Sequence, residues 1–230
     1  MSVLKVRIKF AKEGIVRFIG HLDMMRYFQK AFRRAEIDIQ YSQGFSPHQL
    51  ISFAAPLGVG ITSTGEYMDI VMGDCPSSKE LIEIINRQMV EGVRILSAVA
   101  LPDNSKNAMS LMDTADYHIS FREGMAPAFN LTQAIKDFMA QPEIMVTKKT
   151  KKSEKTMDIK PMIYELRSED TGCFMNVATG STQNLKPEQV MSTLYTFMNQ
   201  DFDPYSIQIH RLEIYGPQFK SLESYGETME

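Results

Sequence analysis

The sequence is poor in the residues that mark a secreted scaffold or a metal protein. It holds two cysteines, Cys75 and Cys173, in 230 residues. That is too few for a disulfide framework, and too few for the thiolate set of an iron–sulfur cluster or a structural zinc site. The four histidines, His21, His48, His118 and His210, stand at no metal-ligand spacing, and no HxxxH pair or paired carboxylate motif accompanies them. No metal site and no cofactor is therefore expected. No apolar run approaches the roughly 20 residues needed to span a bilayer. The opening MSVLKVRIKF alternates as a strand does, unlike the apolar core of a signal peptide. The expectation is a cytoplasmic protein with no membrane contact. Positive charge is lacking overall: the net charge is −3, so any nucleic-acid binding must rest on local clusters.

With 43% hydrophobic and 23% charged residues, the chain can bury a core without covalent staples. Residues 3–10 alternate as a first strand, and Ile15 to Ile19 extends or pairs with it. Leu22, Met25, Phe28, Phe32 and Ala35 then recur at helical steps. Two strands are expected at Leu50–Ala55 and Gly65–Met72, a serine-capped helix over Ser77–Met89, and a strand over Val93–Pro102. The second half repeats this order. It has a strand at Ala115–Arg122, a helix at Leu131–Ala140, three strands between Glu143 and Gly180, a helix over Lys186–Gln200 and a strand at Ile207–Gly216. The pattern predicts an α+β fold of two tandem ferredoxin-like (βαββαβ) domains with antiparallel sheets, over 1–105 and 113–216. Residues 217–230 are expected to form a polar, frayed tail.

The expected helix after Gly20 carries Arg26, Lys30, Arg33 and Arg34 opposite its apolar face, with Asp23 and Glu36 in opposition. Together with Arg17, this is a candidate nucleic-acid surface. A second candidate is the run TKKTKKSEK, in which Lys148, Lys149, Lys151 and Lys152 form a projecting basic hairpin able to neutralise phosphates. Tyr41, Phe45 and His48 are candidates for stacking on bases. Between these lies a stretch rich in glycine and proline, from Tyr41 to Asp69. Its Pro56 to Thr64 loop is able to present backbone N–H groups to an anion, or simply to make a tight connection. His21 and His48 are weak candidates for acid–base catalysis of RNA cleavage, against the plainer reading that each caps or packs. Asp158-Ile159-Lys160-Pro161 reads as a local turn.

The block from Arg17 to Ile70 resembles the signature of the radical SAM-linked domain family, whose function is not established. The matching elements are Arg17-Phe18, Gly20-His21-Leu22-Asp23, Arg33-Arg34, Tyr41-Ser42-Gln43-Gly44-Phe45, Pro47, Ile51-Ser52-Phe53, Pro56-Leu57, Gly60 and Glu66-Tyr67 with Asp69. The signature loop thus comprises Ser42, Gly44, Pro47, Pro56, Gly58, Gly60, Glu66 and Asp69, and Asp158–Pro161 resembles a shorter second motif. The resemblance implies a radical SAM enzyme as partner. The chain lacks the CxxxCxxC cluster motif of such enzymes, which favours an accessory role. A looser similarity, at the level of fold, is to the repeat-RNA-processing endonucleases of CRISPR systems, which makes RNA a candidate ligand. Three functions follow as expectations: a non-catalytic RNA-binding accessory protein, a metal-independent endoribonuclease, and a scaffold that docks the radical SAM partner without nucleic acid.

Overall fold

The computed structural model describes residues 3–149, 154–180 and 182–230. It is an α+β protein that divides into two compact units, one formed by Met1–Asp113 with Arg211–Glu230, the other by Thr114–His210. The first unit therefore draws on both ends of the sequence. The sequence pattern puts the join between residues 105 and 113, gives 211–216 to the second domain and leaves 217–230 as a tail; here 211–230 belongs to the first unit.

In the first unit, β1 (Leu4–Lys12) lies between β4 (Val93–Leu101) and β3 (Thr62–Met72), antiparallel to both. The far side of β3 takes the short antiparallel β2 (Ile51–Phe53) at its Met68–Ile70 end. Its other end takes β10 (Ile207–Gly216), whose residues from Arg211 belong to this unit. Alternation along β1 and β3 sends Val6, Ile8, Phe10, Met68 and Ile70 to one face. There they meet Met24, Phe28 and Phe32 of α1 (His21–Arg34) and Leu81 and Ile85 of α2 (Ser78–Asn86). Burying each such side chain contributes about 1.5–3 kcal/mol. That packing holds α1 in place, because a 14-residue helix is marginal alone in water. Helix α2 begins with the expected serine cap: Ser77 Oγ accepts from Glu80 N–H, and the Glu80 carboxylate accepts from Ser77 N–H.

Three expectations need correction. Gly14–Phe18 is a 3-10 turn and not a strand; Gly14 sits at φ +56°, which breaks the extended path before the short apolar run begins. The buried stripe of α1 is Met24, Phe28, Ala31 and Phe32, so Leu22, at 67% exposure, lies off it. The residues after Gly216 are not frayed. The two-residue strand Lys220–Ser221 pairs with the end of β10, Leu222 is fully buried, and Ala100 and Glu227 form a two-way bridge with N···O distances of 2.8 and 2.9 Å. Few apolar residues are needed to anchor a segment whose backbone groups find partners in this way.

In the second unit, β5 (Thr114–Phe121) and β8 (Ile163–Glu169) flank β9 (Gly172–Ala178), all antiparallel. Ile207–His210 of β10 belongs to this unit and runs beside β5. After the short α3 (Ala108–Leu111) of the first unit, helix α4 (Leu131–Ala140) is capped by Asn130, which accepts from Gln133 N–H. It meets α5 (Pro187–Phe197) through Phe138 and Phe197, with ring centroids 5.7 Å apart. The inward side chains of α5 are Val190, Met191, Leu194 and Tyr195, whereas Phe197 is partly exposed. Strands β6 (Met145–Lys149) and β7 (Glu154–Asp158) make a separate hairpin.

Candidate functional site

The outer face of α1 carries the basic residues that the sequence singles out. Arg26, Lys30, Arg33 and Arg34 are all exposed, on the side away from Met24, Phe28 and Phe32. Asp23 engages Arg26 at 3.2 Å in a pair so exposed that it contributes little stability. Arg34 donates to the Gln88 carbonyl at 3.1 Å, whereas the side chains of Lys30 and Arg33 have no partner among the described residues. Positions 26, 30 and 33 are four and three residues apart, so the three cations form one stripe. Arg17 lies on the 3-10 turn that precedes α1, with its guanidinium 5.0 Å from the centroid of the exposed Phe18 ring.

The Tyr41–His48 motif is a loop closed at its neck. Tyr41 and Gln49 form an antiparallel bridge, and Ser42 N–H donates to the His48 carbonyl at 2.8 Å. Ser42 Oγ accepts from His48 N–H at 3.1 Å and lies 2.8 Å from His48 Nδ1. Gly44, at φ +113°, takes a backbone conformation open to glycine, and Phe45 beside it is wholly exposed. The Ser42–His48 clamp and Gly44 explain why these residue types stand at this spacing: they hold a turn that displays an aromatic ring. Spacing alone did not reveal the clamp, since a serine six residues before a histidine has many other uses. Tyr41 is 45% exposed and its hydroxyl accepts from Gln49 Nε2 at 3.4 Å.

The loop containing Pro56, Gly58 and Gly60 is a tight connection. Gly60 N–H donates to the Arg17 carbonyl and Ile61 N–H to that of Gly58, so these two groups are spent within the protein. Gly65 is required by close approach: a Cβ there would lie 2.5 Å from Glu213 Cα on β10.

The two acids of the signature, Glu66 and Asp69, are structural. Glu66 accepts from Arg211 Nε at 2.9 Å and from Nη2 at 2.6 and 2.7 Å, with both side chains almost wholly buried. Lys12 shares this region and donates to the Ile19 carbonyl at 2.6 Å. Burial pulls the Lys12 pKa below its ordinary value, against the opposing pull of Glu66. His21, the first residue of α1, packs edge-on against Phe53 with centroids 5.4 Å apart. The cavity bounded by His21, Lys12, Phe53 and Glu66 is about 20 Å³, room for a water and not for a nucleotide. On the opposite sheet face Asp69 accepts from Arg7 Nε at 2.7 Å and Nη2 at 3.0 Å and from Ala108 N–H at 2.7 Å. Nearby on that face, burial and Glu213 raise the Tyr67 pKa, and its hydroxyl donates to Glu213 at 2.6 Å. Burial disfavours the Lys9 ammonium, but Glu213 and Glu223 outweigh it and raise the pKa.

Strands β6 and β7 place Lys148 and Lys149 in the basic hairpin, while Lys151 and Lys152 lie outside the described residues. The Asp158–Pro161 motif is a turn anchor: Asp158 Oδ1 accepts from Ile144 N–H at 2.8 Å and Lys160 N–H at 2.9 Å, and Lys160 Nζ donates to the Gln141 carbonyl. Among the described residues no group of three or more His, Cys, Asp or Glu is arranged to hold a metal, and no helix is long and apolar enough to cross a membrane.

Fold and surface together define an α+β protein with one basic helix face and a loop that displays an aromatic ring. The chain belongs to the DUF2344 family, described as an uncharacterised protein conserved in bacteria, whose model matches residues 5–187. No curated protein matches the sequence.

Proposed function

We propose that the chain is a cytoplasmic, non-catalytic accessory protein that binds RNA, or an RNA-containing assembly, for a partner radical SAM enzyme. The carrying observation is the exposed stripe Arg26, Lys30 and Arg33 on α1. At 1.5 Å rise per residue these cations are spaced about 6 and 4.5 Å along the helix, a reach suited to consecutive phosphates of an unpaired strand. The Arg17–Phe18 pair and the displayed Phe45 supply stacking surfaces. The signature resemblance supports the radical SAM partner. The strand order β4-β1-β3-β2 in the first unit and β10-β5-β9-β8 in the second, with helices after the first and third strand of each, supports two ferredoxin-like halves.

The test is fluorescence anisotropy of labelled single-stranded RNA over a salt series. Three phosphate contacts give a slope of log K against log salt near about −2, so raising salt from about 50 to about 200 mM weakens binding roughly 20-fold. Arg33→Ala takes about 0.7 off that slope. An unchanged slope, or no binding at low salt, defeats the proposal. A second reading, a protein-docking scaffold, is favoured by the full exposure of Phe45. It predicts RNA-free protein that loses its co-purifying partner on Phe45→Ala. The endoribonuclease reading has less support, because His21 is packed against Phe53 and His48 is bonded to Ser42; cleavage of RNA in EDTA that vanishes in His48→Ala would revive it.

A further inference from the structure

The sheet face turned away from α1 contains a pocket of about 260 Å³ that none of the preceding roles uses. Its floor is the outward side of β1 and β3. Lys5 pairs with Val71 and Arg7 with Asp69, so these four side chains share one face. One wall is the strand-side segment His48 to Ser52, with Ser52 opposite Asp69; the other is Leu101 and the turn Ser105–Asn107.

Charge decides what such a pocket prefers. Asp69 is its carboxylate, and both oxygens are already occupied by Arg7 and the Ala108 N–H. Lys5 gives one hydrogen bond to the Asp103 carbonyl at 2.9 Å and keeps its remaining donors, while the Lys106 ammonium has no partner among the described residues. Once Arg7 and Asp69 cancel, two ammonium groups remain at the rim. The surface between them is apolar, supplied by Leu50, Val71 and Leu101. The volume falls below the range of about 300–1,000 Å³ typical of drug-sized ligands, so the occupant is smaller than those.

From these features we infer that the pocket binds a small organic acid: a compact apolar body with one anionic group that meets Lys5 and Lys106. The cation stripe that carries the RNA reading lies on α1, against the other sheet face.

Indole-3-carboxylate carries both features and serves as the probe, titrated into the ¹⁵N-labelled full chain. Saturable shifts are expected at the amides of residues 48–52, 69–71 and 101–107. Indole-3-carboxamide, which lacks the charge, is expected to bind about tenfold more weakly, as is the carboxylate to Lys106→Ala or Lys5→Ala. Lys106 is exposed, so its replacement does not threaten folding. Arg33→Ala should leave the affinity for the probe unchanged. No saturable shift in the millimolar range, equal binding of acid and carboxamide, or indifference to both lysine substitutions overturns the assignment.

Discussion

Glu66 is a carboxylate set against two buried cations, and its loss should therefore hurt more than the loss of either. Arg211 and Lys12 are each 3% exposed, and the Glu66 charge acts on both. Replacing Arg211 by methionine removes one cation and leaves Glu66 facing Lys12, still partly compensated. Replacing Glu66 by glutamine leaves both cations in a poorly solvated place. Breaking a buried pair from one side costs about 3–5 kcal/mol, and Glu66→Gln should sit at the upper end with Arg211→Met below it. In thermal unfolding this corresponds to a fall of roughly 6–20 °C. The double variant should cost less than the sum of the two, because the second substitution removes a charge that the first left stranded. The chain has no tryptophan, so far-UV circular dichroism is the appropriate signal. The reasoning is refuted if Arg211→Met costs more than Glu66→Gln, or if the two effects simply add.

Other expectations follow from single contacts. Gly65→Ala places a methyl 2.5 Å from the Glu213 backbone, so β3 and β10 must part; a loss of about 1–3 kcal/mol is expected, and wild-type stability would show that the strands yield freely. Burial, with help from Glu169, pushes the Cys173 thiol up to about 12 from its ordinary 9.0. The folded state therefore keeps a proton that the unfolded state releases, so stability present below pH 9.0 declines as pH rises toward 12. Between pH 9 and 10 the loss should be roughly 1 kcal/mol greater in the wild type than in Cys173→Ala; parallel curves for the two proteins contradict this.

Local signals were enough for elements whose stability is local. Helix α4 is found at the expected Leu131–Ala140, where an asparagine cap and the later Pro142 bracket an amphipathic run. The exposed cations of α1 were equally legible, since helical spacing alone puts Arg26, Lys30 and Arg33 on one side. Ile15–Ile19 was not, because four apolar residues around Arg17 fit a strand or a turn equally well. The roles of Glu66 and Asp69 were also hidden. Their partners Arg211 and Arg7 lie 145 and 62 residues away in sequence, and no periodicity links them. The polar segment after Gly216 misled for the same reason: it is held by backbone groups and by Leu222, not by a hydrophobic stripe.

The division of the first unit between residues 1–113 and 211–230 sets an order of events during synthesis. Residues 114–210 are contiguous and can fold as soon as they leave the ribosome. Until Arg211 follows them, Glu66 has no guanidinium, the Gly65 end of β3 has no strand on the side away from β1, and Arg7 lacks the Leu222 carbonyl that accepts from it at 3.1 Å. The first unit thus reaches its final form only after residues 211–230 are made, and a nascent chain stopped at His210 presents an open strand edge with a buried-type acid beside it. Shortening the chain from its carboxyl end is, for the unit at its amino end, an internal deletion.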